Sequence, residues 1–63
     1  MCESAVVLES AEGTETVMPE AAMVWVKGSD IVCVDILGRE MAVNNARISE
    51  IDLMGHRVLL TRL

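Results

Sequence analysis

The chain is poor in aromatic and basic residues, and both shortages limit what it can bind. It has one tryptophan and no phenylalanine or tyrosine, and five lysines and arginines stand against ten aspartates and glutamates. The formal net charge of −5 repels polyanions, whereas basic side chains supply most non-specific affinity for nucleic acid. Bases of single strands also stack on aromatic rings, and only Trp25 offers a large one. We therefore expect no binding of nucleic acid.

Long hydrophobic segments are missing as well. The longest apolar run covers residues 21–26, far short of the roughly 20 residues that cross a bilayer as a helix. The first residues lack the basic and apolar segments of a secretory signal. The sequence therefore predicts a cytoplasmic protein that does not enter a membrane, with its two cysteines as reduced thiols.

The 63 residues suffice for one small core. A domain of this size buries only about 60 % of the surface that its unfolded chain exposes, and it usually needs a metal, a disulfide or a partner subunit for stability. It also leaves little room for a substrate cavity, and no catalytic triad or glycine-rich phosphate loop can be assembled. We expect a single domain over residues 1–63 that is not an enzyme and that forms a homodimer.

Valine and isoleucine cluster in short runs between turn residues, which is typical of β-strands. The predicted strands cover residues 3–9, 14–18, 22–27, 31–37, 40–43, 47–53 and 57–63. Pro19 should end the second strand because it cannot donate a hydrogen bond to a neighbour, and a helical turn over 20–23 is an alternative start for the third. The run 31–37 is apolar on both faces, which predicts a central strand. The change of apolar phase within 48–53 predicts a β-bulge.

Short strands at regular spacing predict an all-β fold. We expect a small antiparallel β-barrel, closed or nearly closed, or a strongly bent sheet of six to seven short strands. A sheet this small exposes its edges, and a second copy could cover them or an apolar face. The hydrophobic fraction of 52 % and the five methionines also favour a dimer.

Cys2 directly follows the initiator methionine, and its side chain is small enough for Met1 to be removed. The mature chain would then begin with a thiolate and an α-amine that close a five-membered chelate ring on a metal. Two such termini at a two-fold axis would supply two nitrogen and two sulfur donors. A planar arrangement favours Ni(II) or Cu(II), and a tetrahedral one favours zinc. A dispensable N-terminal cysteine is the alternative.

Four segments carry a resemblance to a known family: Met-Cys-Glu at 1–3, the apolar strand ending near Leu8, Asp-Ile-Leu-Gly at 35–38, and Ile-Ser-Glu-Ile-Asp-Leu at 48–53 followed by His56. Together they resemble the CooT family over essentially the whole chain. The resemblance implies a nickel-binding accessory protein of carbon monoxide dehydrogenase maturation. It also implies a homodimer in which the cysteine after the initiator methionine, here Cys2, supplies the thiolate. Members of this group have also been described as RNA-binding proteins, which the charge of this chain opposes.

Two further groups could support a metal held by Cys2. They are the backbone of Glu3 and the imidazole of His56, since imidazole is the commonest protein ligand for late metals. A single turn histidine is more often solvated. Cys33 lies in mid-strand, where a cysteine usually packs as a small hydrophobe.

The remaining candidates leave alternatives open. Asp35 interrupts an apolar strand, either as a buried carboxylate of raised pKa that marks a site, or as a partner of Arg39 or of backbone donors. Glu50 and Asp52 share a strand face and are expected to be solvated rather than paired for catalysis. Trp25 is expected to fill the core or a subunit interface.

The sequence therefore predicts a metallochaperone-like homodimer that holds Ni(II) through Cys2 of each subunit. Its partner would be a client metalloenzyme such as carbon monoxide dehydrogenase. The alternatives are a metal-free protein-protein interaction module and, less favoured, a small RNA-binding barrel.

Overall fold

A computed structural model describes residues 3–63 of the chain, which form six strands of one sheet. The strands are β1 (Ser4–Ser10), β2 (Gly13–Lys27), β3 (Asp30–Asp35), β4 (Glu40–Val43), β5 (Ala46–Asp52) and β6 (Arg57–Arg62). Their order across the sheet is β4-β3-β2-β1-β6-β5. The predicted all-β class is confirmed. Among these residues no helix is long and apolar enough to cross a membrane.

The sheet does not close into a barrel. Closure would require hydrogen bonds between β4 and β5, which are joined by Asn44 and Asn45 but form the two edges of the sheet. The chain crosses from one edge to the other, and the Ala46 N–H donates to the Ser29 carbonyl at 2.9 Å. An open cleft of about 420 Å³ remains between β2 and β4. The predicted closed barrel is therefore wrong, and a bent sheet is the closer description.

The sheet is also not wholly antiparallel. β1 and β6 pair in parallel, from Ala5 opposite Arg57 to Glu9 opposite Thr61. All the other neighbouring strands are antiparallel. A parallel pair needs a long crossover connection, and strands β2 to β5 together supply it. The prediction of an antiparallel sheet is wrong for this one pair.

Strand β2 continues through Pro19, where a strand end was predicted. The register against β1 shifts between Ser4, opposite Ala21, and Val6, opposite Met18. Pro19 thus falls in an irregular stretch where its missing N–H breaks no regular ladder bond. One strand of 15 residues replaces the two predicted strands, and the alternative helical turn over 20–23 is wrong.

The core lies on the inner, concave face of the sheet. Its buried apolar members are Val6, Leu8, Met18, Ala21, Ile31, Cys33, Val43, Ala46 and Leu60. Strand β3 alternates strictly between buried and half-buried residues, and it is flanked by β2 and β4 as its apolar pattern predicted. The register shift between Ile48 and Glu50 confirms the predicted bulge in β5.

Candidate functional site

The chain enters the sheet beside the turn that contains its only histidine. The Ala5 N–H donates a hydrogen bond to the His56 carbonyl oxygen at 2.9 Å, and Ala5 then pairs with Arg57. Cys2 lies outside the described residues. Three peptide units separate its Cα from that of Ala5, which allows at most about 11 Å. The parallel pairing of β1 with β6 therefore brings the histidine next to the segment that follows Cys2.

The turn before β6 fixes the backbone at His56. Asp52 Oδ1 accepts a hydrogen bond from the Gly55 N–H at 2.8 Å, and His56 has a left-handed φ of 53°. Such a φ is uncommon for a residue with a side chain, although histidine adopts it more often than most. A Cβ at Gly55 would lie 2.6 Å from Asp52 Oδ2, so a larger residue at this position would have to displace the Asp52 carboxylate. The result is an exposed imidazole at the end of the sheet where β1 begins.

The backbone of Glu3, also predicted to support a metal, directly precedes β1, and its side chain is half-buried. Within residues 3–63, no three histidine, cysteine, aspartate or glutamate side chains lie close enough together to hold a metal ion. The described residues of the chain thus place His56 and backbone groups at this end, but no three-ligand cluster.

Cys33 belongs to the core. Its side chain is fully buried on the inner face of β3, and burial raises the pKa of its thiol. Strand β2 separates β3 from β1, so Cys33 is remote in the sheet order from the strand that follows Cys2. This agrees with the packing role expected from the sequence.

Asp35 is paired, which decides between its two alternatives. Its Oδ1 accepts the N–H groups of Leu37 and Arg39, each at 2.9 Å, and its Oδ2 lies 2.7 Å from Arg39 Nε. The backbone hydrogen bond from Arg39 leads the interactions that hold the pKa of this carboxyl below its ordinary value, against the opposing effect of burial. The alternative of a raised pKa is wrong, and Asp35 instead organises the turn between β3 and β4.

Glu50 and Asp52 do not act as a pair of carboxylates. Glu50 Oε1 lies 3.3 Å from Arg57 Nη2 on the exposed surface, as expected for a solvated face. Asp52 accepts a hydrogen bond from the Gly55 N–H and so caps the turn, a role that was not predicted from the sequence. The spacing of Asp52 three residues before a glycine was the available signal for such a turn.

The family comparison covers nearly the whole chain. The model of the family described as CO dehydrogenase accessory protein CooT matches residues 1–61. The chain belongs to the CooT family. The matched range includes both Cys2 and His56, and the resemblance inferred from the sequence is confirmed.

A solved CooT structure has the same fold. The crystal structure assigned to CooT from Carboxydothermus hydrogenoformans is 21% identical to this chain, with a TM-score of 0.85 over 98% of each chain. At this identity the likeness shows a shared architecture. No curated protein matches the chain.

One prominent side chain of this CooT protein lies outside its expected core position. Trp25 was expected in the core or in an interface, but the residue is 44% exposed and pairs with Val32 on the face opposite the core. Lys27 Nζ lies 5.1 Å from the ring centroid. A core position is therefore wrong, and an interface position stays a prediction. The available signal was that the paired segments 22–26 and 31–37 are apolar on both faces.

A cleft lies beside the beginning of β1. It has a volume of about 220 Å³ and lies where the register of β2 shifts. Its lining comes from Ser4 of β1, residues 21–24 of β2 and Val58 of β6, and part of it packs against the core. The bulge in β2 thus opens the sheet surface next to the segment that follows Cys2.

Proposed function

We propose that this CooT protein binds Ni(II) through the thiolate of Cys2 in a homodimer and supplies the ion to a client metalloenzyme. The observation that carries the proposal is the family match over residues 1–61, which includes Cys2. The family description names CO dehydrogenase, and this enzyme is the client that we propose.

The donors at this end of the chain suit a late transition metal. After removal of Met1, the thiolate and α-amine of Cys2 form a five-membered chelate ring, and the backbone of Glu3 lies next in the chain. His56 is held beside β1 by the hydrogen bond from Ala5 and offers an exposed imidazole. Mixed nitrogen and sulfur donors in a planar set favour Ni(II). A homodimer would supply the nitrogen and sulfur donors of both chains to the ion.

The position of this site also suits transfer of the ion. Structural metal sites are usually closed by four protein ligands, whereas sites that exchange ligands keep an open position. Here the donors would lie beside an exposed turn rather than in the core. An approaching client could therefore replace them one at a time.

A nickel titration with matched cysteine variants tests the proposal. The protein is made without a tag, and mass spectrometry verifies the loss of Met1. We expect a thiolate-to-metal charge-transfer band that saturates in the native chain, vanishes in Cys2→Ala and persists in Cys33→Ala, because the Cys33 thiol is buried. Absence of a charge-transfer band in the native chain would contradict nickel binding by Cys2 and favour the metal-free interaction module.

The pH dependence of binding provides a second test. A thiol must lose its proton to bind a metal, so the apparent nickel affinity should fall as the pH decreases. His56→Ala should reduce the affinity without abolishing the charge-transfer band, since the thiolate remains. An affinity that is constant across the thiol titration range would exclude thiolate coordination.

A further inference from the structure

Strands β2 and β3 carry a block of apolar side chains on the face opposite the core. Met23 pairs with Val34 and Trp25 pairs with Val32, so the four side chains form two adjacent rows. Met23 and Trp25 are each 44% exposed, and the two valines are half-buried. We name these four residues the outer apolar face. The described chain forms a single sheet, so no second layer of residues 3–63 covers this face.

Other exposed apolar side chains do not form a comparable surface. Five of them lie in turns or at the chain end: Ile36, Leu37, Leu53, Met54 and Leu63. Val26, Met41 and Ile51 lie on strands, but each pairs with a residue of the core side, namely Ile31, Cys33 and Val58. Single exposed hydrophobic residues are common on protein surfaces, whereas contiguous groups mark contact sites. The outer apolar face is a contiguous group on the side of the described strands that faces away from the core.

Opposite charges stand at opposite corners of this face. Lys27 follows Trp25 on β2 and pairs with Asp30 at the beginning of β3, whereas Glu40 of β4 pairs with Val34 near the end of β3. Because β3 runs between these two points, Lys27 and Glu40 are diagonal across the face. The Asp30 carboxylate accepts the Asn45 N–H at 3.3 Å and so is engaged with the adjacent loop. The corner charges are therefore arranged to match a rotated copy of the same face.

We propose that the outer apolar face is the surface through which two copies of this chain form the dimer. This inference rests on the homodimer of the proposed function and adds its location and geometry. A two-fold axis along the other diagonal of the face puts Lys27 opposite the partner's Glu40, twice by symmetry, and Trp25 against the partner's Val34. The strands of the two sheets then cross at about 90°, which is one of the two common ways for sheets to pack.

The same axis brings the two chain beginnings together. It passes over the corner that holds Met23, beyond which Ala21 pairs with Ser4. Ser4 and Met23 also line one cleft together with core-side residues, so the beginning of β1 lies next to this corner. Cys2 is two residues before Ser4, within about 7 Å along an extended chain. The outer apolar face therefore places both Cys2 residues within reach of one metal ion at the axis.

A substitution at the centre of the face gives the main test. Sedimentation equilibrium of the full chain without metal should show that Trp25→Glu raises the dimer dissociation constant about 30-fold or more, as for a buried aromatic anchor. Met54→Glu is the matched control, since Met54 is 92% exposed in a turn, and it should dimerise like the native chain. Trp25 is the only tryptophan and tyrosine is absent, so its emission should shift to the red as the native dimer is diluted.

An exchange of charges tests the geometry with variants that stay on the exposed surface. Lys27→Glu and Glu40→Lys should each weaken the dimer roughly tenfold, because each places like charges at both symmetric contacts. The double variant should recover most of the native affinity. Trp25→Glu that dimerises like the native chain, a double variant no better than the singles, or a native chain that is monomeric at millimolar concentration would overturn the inference.

One further variant separates this inference from the nickel proposal. Cys2→Ala should remain a dimer in the absence of nickel, because the outer apolar face does not include Cys2. A native chain that dimerises through this face but binds no nickel would refute the proposed function and leave the interface intact. Loss of the metal-free dimer in Cys2→Ala would overturn the interface.

Discussion

The two faces of β3 are equally apolar in sequence but are covered very differently. On the inner face Ile31 and Cys33 are 0% exposed, and Asp35 is 8% exposed. On the outer face Val32 and Val34 are half-buried beside the exposed Trp25 and Met23. The bend of the sheet covers the inner face with side chains of β1, β4 and β6. The contrast shows that two flanking strands satisfy the backbone of a strand without burying both of its faces.

This difference in burial predicts that the inner face stabilises the fold and that the outer face serves association. Core residues of the inner face are buried within the single chain, so their substitution should change the free energy of unfolding. Outer residues lose water only when something docks on them, so their substitution should change association instead. Substitutions and chemical modification on each face distinguish these two roles.

The thiol of Cys33 should be strongly protected in the native protein. It is fully buried, and burial raises the pKa of the thiol, so little reactive thiolate forms at neutral pH. In Cys2→Ala, where Cys33 is the sole cysteine, a thiol reagent should react at least about 1000-fold more slowly with native than with urea-unfolded protein. Reaction at similar rates would mean that the inner face opens freely and that the contrast between the faces is false.

Truncation of neighbouring residues should separate the faces energetically. Ile31→Ala should lower the free energy of unfolding by about 2–5 kcal/mol because it leaves a cavity among buried side chains. Val32→Ala, one residue further on, should cost less than about 1 kcal/mol, since its side chain is only half-buried. Urea denaturation at a concentration below the dimer dissociation constant measures both.

A milder variant keeps this test valid if Ile31→Ala does not fold. Ile31→Val should cost about 0.5–1.5 kcal/mol and leave a measurable transition. A loss above about 2 kcal/mol for Val34→Ala on the outer face, as for truncation of a buried side chain, would argue that both faces are buried in the single chain.

Much of this fold follows from local sequence. The runs of valine and isoleucine locate the strands, and the Gly28-Ser29 pair forms a two-residue hairpin between Lys27 and Asp30. The apolar phase change locates the bulge after Ile48. These features are local because each depends on residues only a few positions apart.

The remaining features depend on partners distant in the chain. Pro19 is tolerated in β2 only because the register against β1 shifts beside it, and no local pattern reports that shift. The parallel pairing of β1 with β6 is likewise non-local, yet it alone brings His56 to the segment after Cys2. The candidate ligands could therefore be named from the sequence, whereas the proximity of His56 to the start of β1 could not. Cys2 as a metal ligand stays a prediction.

Asp35 should make the stability of the inner face depend on pH. Its pKa in the folded state lies below the ordinary value of 3.8, with the backbone hydrogen bond from Arg39 as the main cause. The stabilisation is therefore fully present above pH 3.8 and is lost as the pH falls through the lower folded pKa. Asp35→Asn should lower the melting temperature at pH 7 by roughly several degrees and flatten its decline in acid.

Asp30→Asn is the control for this acid dependence. Asp30 lies at the other end of β3 and accepts one long hydrogen bond from Asn45, at 3.3 Å. Thermal unfolding between pH 2.5 and 7, about the range of carboxyl titration, compares the three proteins. If Asp30→Asn flattened the acid profile as much as Asp35→Asn, the hydrogen-bonded carboxylate of Asp35 would not be its source.

The smallest effect is expected at Lys27, on the outer face. Lys27→Met keeps the apolar stem but removes the charge 5.1 Å from the Trp25 ring. An exposed cation–π contact contributes about 0.5–1 kcal/mol at most, and salt screens it. Below the dimer dissociation constant, the free energy of unfolding should change by no more than this amount, while the emission of Trp25 shifts. A larger loss would mean that the contact between Lys27 and Trp25 stabilises the fold of the single chain. The outer face would then be a structural surface rather than an association surface.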